Sequence, residues 1–313
     1  MAFGILSQQQ NNMRNTIKIT IGIPAHNEEN NICRIVASLL DQYENIFEIE
    51  KLIVISDGST DGTVGLVQRI QDERLEVKIN EIRQGKVRIM NELFRSCSSD
   101  YLVIIDADTI IKDRKFISTF ISSAIDKKNI GLVGARVESL IGTSFFERTI
   151  AQSHSFKNNM YEINGNNESL YLCHGRARIF SYDFFHTLDI PTDAPEDSYS
   201  FLACVRNGYK FMYAPKAVVY FKSPTTLADH MKQSSRFKHG RTALLKYFSK
   251  NTLQKEFRLN KSAVIRAAFN MLISHPLQFI YYIIIYLYTL LFGKESDVSH
   301  STWNIAASSK NIT

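Results

Sequence analysis

The chain predicts an α/β fold built on a mainly parallel sheet, and three observations carry that class. Short apolar, β-branched runs recur through its first 135 residues. The first four are closed by Pro, Asp or Asn, and the stretches between them have helical spacing. Residues 18–24 (KITIGIP) form the first buried strand. In 30–40, Ile32, Ile35, Val36, Leu39 and Leu40 share one helical face. KLIVIS at 51–56 is a second strand, ended by Asp57 and Gly58. A helix follows over 63–70, then a short strand over 75–79. The next helix, over 86–94, turns Val87, Met90, Leu93 and Phe94 inward. YLVII at 101–105 is a strand ending on Asp106, Ala107 and Asp108, followed by a helix over 116–125 and a strand over 130–135. Parallel neighbours need crossovers, and these helices supply them. The middle, 138–195, is less regular and richer in Asn, His and Arg. It is expected to pack on the sheet as the second half of a cleft. A helix over 198–207, strands over 209–213 and 217–221, and a long basic helical region from Thr226 complete the pattern.

Composition narrows the class of protein. Of 313 residues, 44% are hydrophobic and 22% charged, with only 14 Gly and 6 Pro, which excludes a disordered or collagen-like chain. Cys33, Cys97, Cys173 and Cys204 are scattered and form no C-x-x-C pair. A disulfide framework and a zinc knuckle are therefore disfavoured, and reduced thiols point to the cytosol. No G-x-G-x-x-G follows the first strand and no P-loop occurs, which argues against a nicotinamide enzyme or a P-loop NTPase.

The net charge of +6 is concentrated. Ten basic residues between Met231 and Arg266 face one acid, Glu256. Directly after them, 277–292 is an uncharged apolar run, about 24 Å long as a helix and short of a hydrocarbon core of about 30 Å. Counted from Met271 it is longer, but His275 and Pro276 interrupt it. A span, a re-entrant hairpin, an interfacial anchor and a buried core helix all fit. The basic block favours membrane contact from the cytoplasmic side. Residues 1–15 carry no apolar core of signal-peptide type, so the domain is expected to stay in the cytoplasm. A nucleic-acid partner, suggested only by the basic block, is not expected.

Open α/β sheets bind ligands beyond the carboxyl ends of their strands. Three polar clusters sit at such ends: Pro24, Ala25, His26, Asn27 and Glu28; Asp57 to Asp61; and Asp106 with Asp108. Each alone reads as a turn or a helix cap, but the three together indicate a site. An acidic cleft without a phosphate loop needs a divalent cation to neutralise a nucleotide diphosphate, and Asp108 is the best ligand for it.

In order and spacing these clusters resemble the motifs of family-two inverting glycosyltransferases of GT-A fold: P-A-x-N-E at 24–28, D-G-S-x-D-G-T at 57–63, G-K-x-x-x-x-N at Gly85, Lys86 and Asn91, and D-x-D at 106–108. Glu196 and Asp197 match the acidic E-D motif. Gln233, Arg236 and Phe237 are similar to the Q-x-x-R-W motif of the polysaccharide-synthase branch (hyaluronan, chitin and cellulose synthases), with Phe in place of Trp. Residues 302–310 are faintly similar to that branch as well.

The resemblance implies a catalytic domain at 17–225, with a nucleotide half at 17–137 and an acceptor half at 138–225. It is flanked by tails at 1–16 and 293–313, basic interfacial helices at 226–270 and a membrane segment at 271–292. It implies that Pro24, Ala25, Asn27, Glu28, Asp57, Lys86 and Asp106 hold the nucleotide sugar, with Asp108 on Mg2+ or Mn2+. Asp197 would be the general base and Glu196 its neighbour; Arg236 would clamp the diphosphate, with Gln233 three residues earlier on the same helical face completing the catalytic group. Gly175, Arg176 and Phe237 would meet the acceptor, a glycan or a lipid-linked sugar. The donor is expected to be UDP-linked. A membrane partner subunit, single transfer to a polyprenyl phosphate, or a non-catalytic scaffold are the other readings.

Overall fold

The computed structural model describes residues 16–125, 127–165 and 168–292, with the side chains of 165 and 235–239 also outside the description. The tails expected at 1–15 and 293–313, Trp303 among them, lie outside the described residues. Seven strands form one sheet: β1 (Ile17–Ala25), β2 (Phe47–Asp57), β3 (Leu75–Asn80), β4 (Tyr101–Ile105), β5 (Ile130–Ser139), β6 (Ala177–Ser181) and β7 (Lys210–Phe221). Their spatial order is β3-β2-β1-β4-β6-β5-β7. Strands β3, β2, β1 and β4 run parallel, β6 runs antiparallel to β4 and β5, and β5 is parallel to β7.

Helices cover both faces, which is why the strands read as near-continuous apolar runs. One face carries α1 (Ile32–Leu40), α2 (Thr63–Val67) and, after α3, the short α4 (Phe116–Ile121). Their Ile35, Val36, Val67, Phe116 and Phe120 meet Ile19, Ile21, Ile23 and Val54. The other face carries α3 (Lys86–Ser96), α6 (Tyr182–Phe185) and α7 (Glu196–Arg206). There Met90, Leu93, Phe94, Phe184, Phe185 and Phe201 pack on Ile53, Ile55 and Ile104. Between them in sequence runs α5 (Phe145–Gly165). The C-terminal third is α8 (Leu227–Ala243), α9 (Lys250–Glu256), α10 (Lys261–Ser274) and α11 (Pro276–Phe292), and the last two pack on α5.

Three expectations change. The irregular middle holds a long helix, α5, and a central strand, β6. The two strands expected at 209–213 and 217–221 are one, β7. Its pairing with β5 jumps from Ala135–Ala214 to Arg136–Val218, so residues 215–217 bulge where Pro215 has no N–H to give. Helix α7 starts at Glu196, two residues before the expected 198, which brings Glu196 and Asp197 into its first turn.

The β2 edge of the cleft turns at Gly58, whose φ is +62°, and a Cβ there would lie 2.6 Å from the Arg83 backbone nitrogen. Gly58→Ala therefore combines strain with a clash that only backbone movement relieves. We expect a stability loss of about 1–3 kcal/mol in urea unfolding. An unchanged midpoint would show that the 57–61 turn does not need this conformation.

Candidate active site

The polar clusters close the C-terminal ends of β1, β2 and β4, side by side because those strands are neighbours. The first two interlock. The Asn27 N–H donates to Ser59 Oγ (3.2 Å) and its Oδ1 accepts from the Thr60 N–H (2.8 Å). Glu28 N–H donates to Thr63 Oγ1 (2.7 Å), and His26 Nδ1 lies 2.7 Å from the Asp57 carbonyl. Asn27 adopts φ +52°, a conformation Asn tolerates better than most side chains. Pro24 and Ala25 end β1 opposite Ile55 and Ser56 of β2.

Asp57 is 3% exposed, and its two carboxylate oxygens accept from the N–H groups of Gln84 (2.6 Å) and Gly85 (2.8 Å). It thus ties β2 to the start of α3 and fixes where Lys86 begins. Lys86 was expected on the nucleotide. Its three ammonium donors are instead consumed by Asp106 Oδ1 (2.5 Å), Glu196 Oε1 (2.8 Å) and the Gly175 carbonyl (2.9 Å). Burial opposes the Lys86 charge, but Asp106 and Glu196 more than offset it and raise its pKa. Lys86 is a strut joining the two halves of the domain, and it leaves no donor for a nucleotide.

Glu196 and Asp197 separate in role. Glu196 also accepts from Arg178 (2.5 Å), a β6 residue whose guanidinium has no solvent exposure. Burial works against the Glu196 carboxylate, yet Arg178 and Lys86 hold its pKa below the usual range. Among the described residues the Asp197 carboxylate accepts only from the Ser198 N–H (2.6 Å), and burial, reinforced by the charge of Glu196, raises its pKa. Gly175 leaves room for this packing: a Cβ there would come within 2.7 Å of Glu196 Oε1. It was expected to meet an acceptor, and it lies against Glu196.

Arg176 was placed with the acceptor as well. Its guanidinium holds Asp108 Oδ1 (2.8 Å) and lies 4.2 Å from the centre of the Phe221 ring. Gln233 is half-buried on α8. Arg236 and Phe237 belong to the same helix, and their side chains lie outside the described residues.

Among the described residues, no cluster of three or more His, Cys, Asp or Glu could hold a metal alone. The donor set still fits a cation that arrives with its nucleotide. Hard carboxylate oxygen suits Mg2+ or Mn2+, which commonly take one or two protein carboxylates and fill the rest of the shell with phosphate and water. Among the described residues around Asp108, three cations (Lys86, Arg176, Arg178) face four carboxylates (Asp106, Asp108, Glu196, Asp197), an excess of negative charge there for such an ion to offset. Asp108 has one oxygen free of Arg176 to offer it.

Arg178, which the sequence groups with Arg176 as a pair that could meet an acidic acceptor, is instead buried against Glu196. An Arg amid an irregular, polar stretch gives no sign that it points into a core. The only available signal was the strand-like alternation of Ala177, Ile179 and Phe180 around it.

Comparison with known proteins agrees with this geometry. The sequence model described as glycosyl transferase family 2 matches residues 20–188. Poly-beta-1,6-N-acetyl-D-glucosamine synthase of Staphylococcus aureus (strain MSSA476) is 24% identical over 255 residues, covering 77% of this chain and 59% of that protein. The chain therefore spans about three-fifths of the length of this relative. Among solved structures, the mannosyltransferase PcManGT of Pyrobaculum calidifontis, in complex with GDP-Man and Mn2+, superposes with a TM-score of 0.61 at 16% identity, covering 93% of this chain and 88% of that one. TarS 1–349 of S. aureus, also solved with UDP-GlcNAc, gives 0.53 at 14% identity, covering 87% and 81%. These structures share the fold, and the motif resemblance read from the sequence agrees with the match of the family model over more than half of the chain. The chain belongs to glycosyl transferase family 2.

Proposed function

We propose that this chain moves a sugar from a nucleotide-diphospho-sugar, UDP-linked by preference, to an acceptor hydroxyl with inversion at the anomeric carbon, and that Asp197 is the general base. One observation carries the reading. Of the four carboxylates in the cleft, Asp197 is the one not paired with a lysine or arginine among the described residues. A base needs a carboxylate that can take a proton, and Asp197 is held in place through the Ser198 N–H while its other oxygen stays open. In the proposed step, the acceptor oxygen bonds to the anomeric carbon as the bond from that carbon to the diphosphate breaks. The acceptor proton passes to Asp197, and the nucleoside diphosphate leaves. The transition state has oxocarbenium character, as in glycoside hydrolysis. A divalent ion bound with the donor would stabilise negative charge on the departing diphosphate. Lys86 and Arg178 act at a distance, fixing Glu196 and so the start of α7 on which Asp197 rides.

The reading includes attachment to a membrane surface. No helix among the described residues is long and apolar enough to cross a bilayer. Helix α11 buries Tyr282, Ile285 and Thr289 and exposes Leu277, Ile280, Ile284, Leu287 and Leu291, a stripe at helical spacing, continued on α10 by exposed Ile265, Phe269 and Leu272. An apolar face of this extent, beside the basic residues of 232–266, suits a helix pair lying in the interface of an anionic leaflet.

The test is a panel of UDP-, GDP- and dTDP-sugars with Mn2+, Mg2+ or chelator, read by donor binding and nucleotide release. We expect one donor to bind with metal, and Asp108→Asn to weaken that binding roughly 10- to 100-fold. A protein that binds no nucleotide sugar with either metal would sink the transferase reading.

A further inference from the structure

The wall of the cleft beyond Arg176 collects basic side chains that the proposed step does not use. His154 and Lys157 stand one turn apart on α5, His174 precedes Gly175 on the approach to β6, and His230 comes from α8. Lys157 lies close enough for its charge to act on His154, His174 and His230 alike, and aromatic rings flank the group. The His154 ring meets Phe221 edge-on at 4.9 Å, on the same ring that carries the Arg176 guanidinium, and the Lys157 ammonium lies 5.7 Å from the Tyr282 ring of α11. Among the described residues Lys157 has no carboxylate partner. His174 Nε2 and His230 Nδ1 are both shielded from solvent and have no hydrogen-bond partner, and His230 as a whole is 7% exposed. Burial lowers the pKa of Lys157 to about 8 and those of His174 and His230 to about 4. At neutral pH the pocket is thus one half-buried ammonium with neutral imidazoles, each able to turn one N–H inward.

Buried polar atoms without partners are costly unless a ligand completes them. A neutral imidazole can present an N–H at its orphaned nitrogen and Lys157 is positive, so an anion rich in acceptors completes the set. We propose that His154, Lys157, His174 and His230 line a phosphate-binding pocket that seats a phosphate group on the acceptor. This rests on the transferase reading, since it assigns the acceptor side of the same cleft. A tetrahedral phosphate offers three oxygens to donors converging from three elements, where a carboxylate offers two. The donor diphosphate has its own anchor on the Asp108 side. The pocket abuts Tyr282 of α11, so a phosphate held there can carry an apolar chain along the exposed face of that helix.

The experiment uses the full chain in EDTA, so that no metal–diphosphate complex forms, and titrates inorganic phosphate and dodecyl phosphate by calorimetry. A parallel titration uses UDP with Mn2+. We expect both phosphates to bind, and Lys157→Gln to weaken them about tenfold or more, the scale of one charge-assisted hydrogen bond, while UDP–Mn2+ affinity changes less than twofold. Tighter binding of dodecyl phosphate assigns a lipid-linked acceptor, and equal binding assigns a soluble phosphorylated one. Unchanged phosphate affinity in the variant overturns the pocket. Equal weakening of UDP–Mn2+ overturns its assignment to the acceptor and gives it to the donor. If circular dichroism shows Lys157→Gln to be misfolded, His230→Asn is held to the same thresholds. Metal-dependent release of nucleotide, measured on the wild type, tests the transferase reading independently of either result.

Discussion

Asp197→Asn is expected to lower kcat for sugar transfer by about 10²–10⁴-fold, the range of a lost general base, while the donor and its metal bind as before. The substitution is nearly isosteric, and the Asn side-chain oxygen can still accept from the Ser198 N–H. It also removes a half-buried charge that no cation among the described residues pairs with directly. Burial and the neighbouring Glu196 charge raise the Asp197 pKa, so the folded chain binds this proton more tightly than the unfolded one. The ionised side chain therefore costs stability as pH rises through that window. The Asn variant should then melt at the wild-type temperature or above it, which separates lost chemistry from lost fold. The pH profile follows the same sign. The base works only when ionised, so the wild-type rate falls as pH drops through a pKa above the ordinary aspartate value, and that limb is absent from the residual rate of the Asn variant. A variant that keeps more than a tenth of the wild-type rate would remove Asp197 from the chemistry. Loss of donor binding in step with kcat would make it a donor-site residue instead.

The parallel half of the fold was legible because parallel strands buried on both faces are written as apolar runs, and because the clusters that end them are polar for a reason of position. β6 was not legible. Its five residues place an arginine where the sheet is driest, and only the tertiary pairing of Arg178 with Glu196 makes that tolerable. Helix α5 was missed for a related reason: its Asn, Gln, His and Ser residues surround it on most sides, so no apolar stripe marks it, and α10 and α11 supply the packing that its own sequence does not announce. The site divides in the same way. Spacing marked Asp57, Lys86, Asp106, Asp108, Glu196 and Asp197 as a group. Spacing could not say that Asp57 spends both oxygens on the Gln84 and Gly85 amides, or that Lys86 is saturated by three acceptors. Nor could it bring His154 and Lys157 of α5 to His230 of α8, since the two helices are far apart in sequence and match no motif.

Glu196→Ala is the substitution expected to damage the fold most, by about 3–5 kcal/mol, the usual cost of removing one partner from a buried ion pair. Glu196 Oε1 holds Lys86 and Oε2 holds Arg178. Lys86 would keep Asp106 and the Gly175 carbonyl. Arg178 would keep only neutral groups, namely the residue-196 carbonyl (3.2 Å), Ser200 Oγ (3.2 Å) and the Met90 sulfur (3.8 Å), around a guanidinium that water does not reach. The damage is therefore traced to an orphaned cation, and it makes a second expectation. Adding Arg178→Met to Glu196→Ala removes that cation, so the double variant should recover a large part of the loss and be more stable than Glu196→Ala alone. Urea unfolding of wild type, both single variants and the double variant closes the cycle. A Glu196→Ala loss under about 1 kcal/mol, or a double variant no better than Glu196→Ala, would mean that water reaches Arg178 and that the strut does not hold the cleft together. With the expected pattern, the adjacent carboxylates of α7 part company: removing Glu196 destabilises the protein, whereas neutralising Asp197 leaves it stable and inactive.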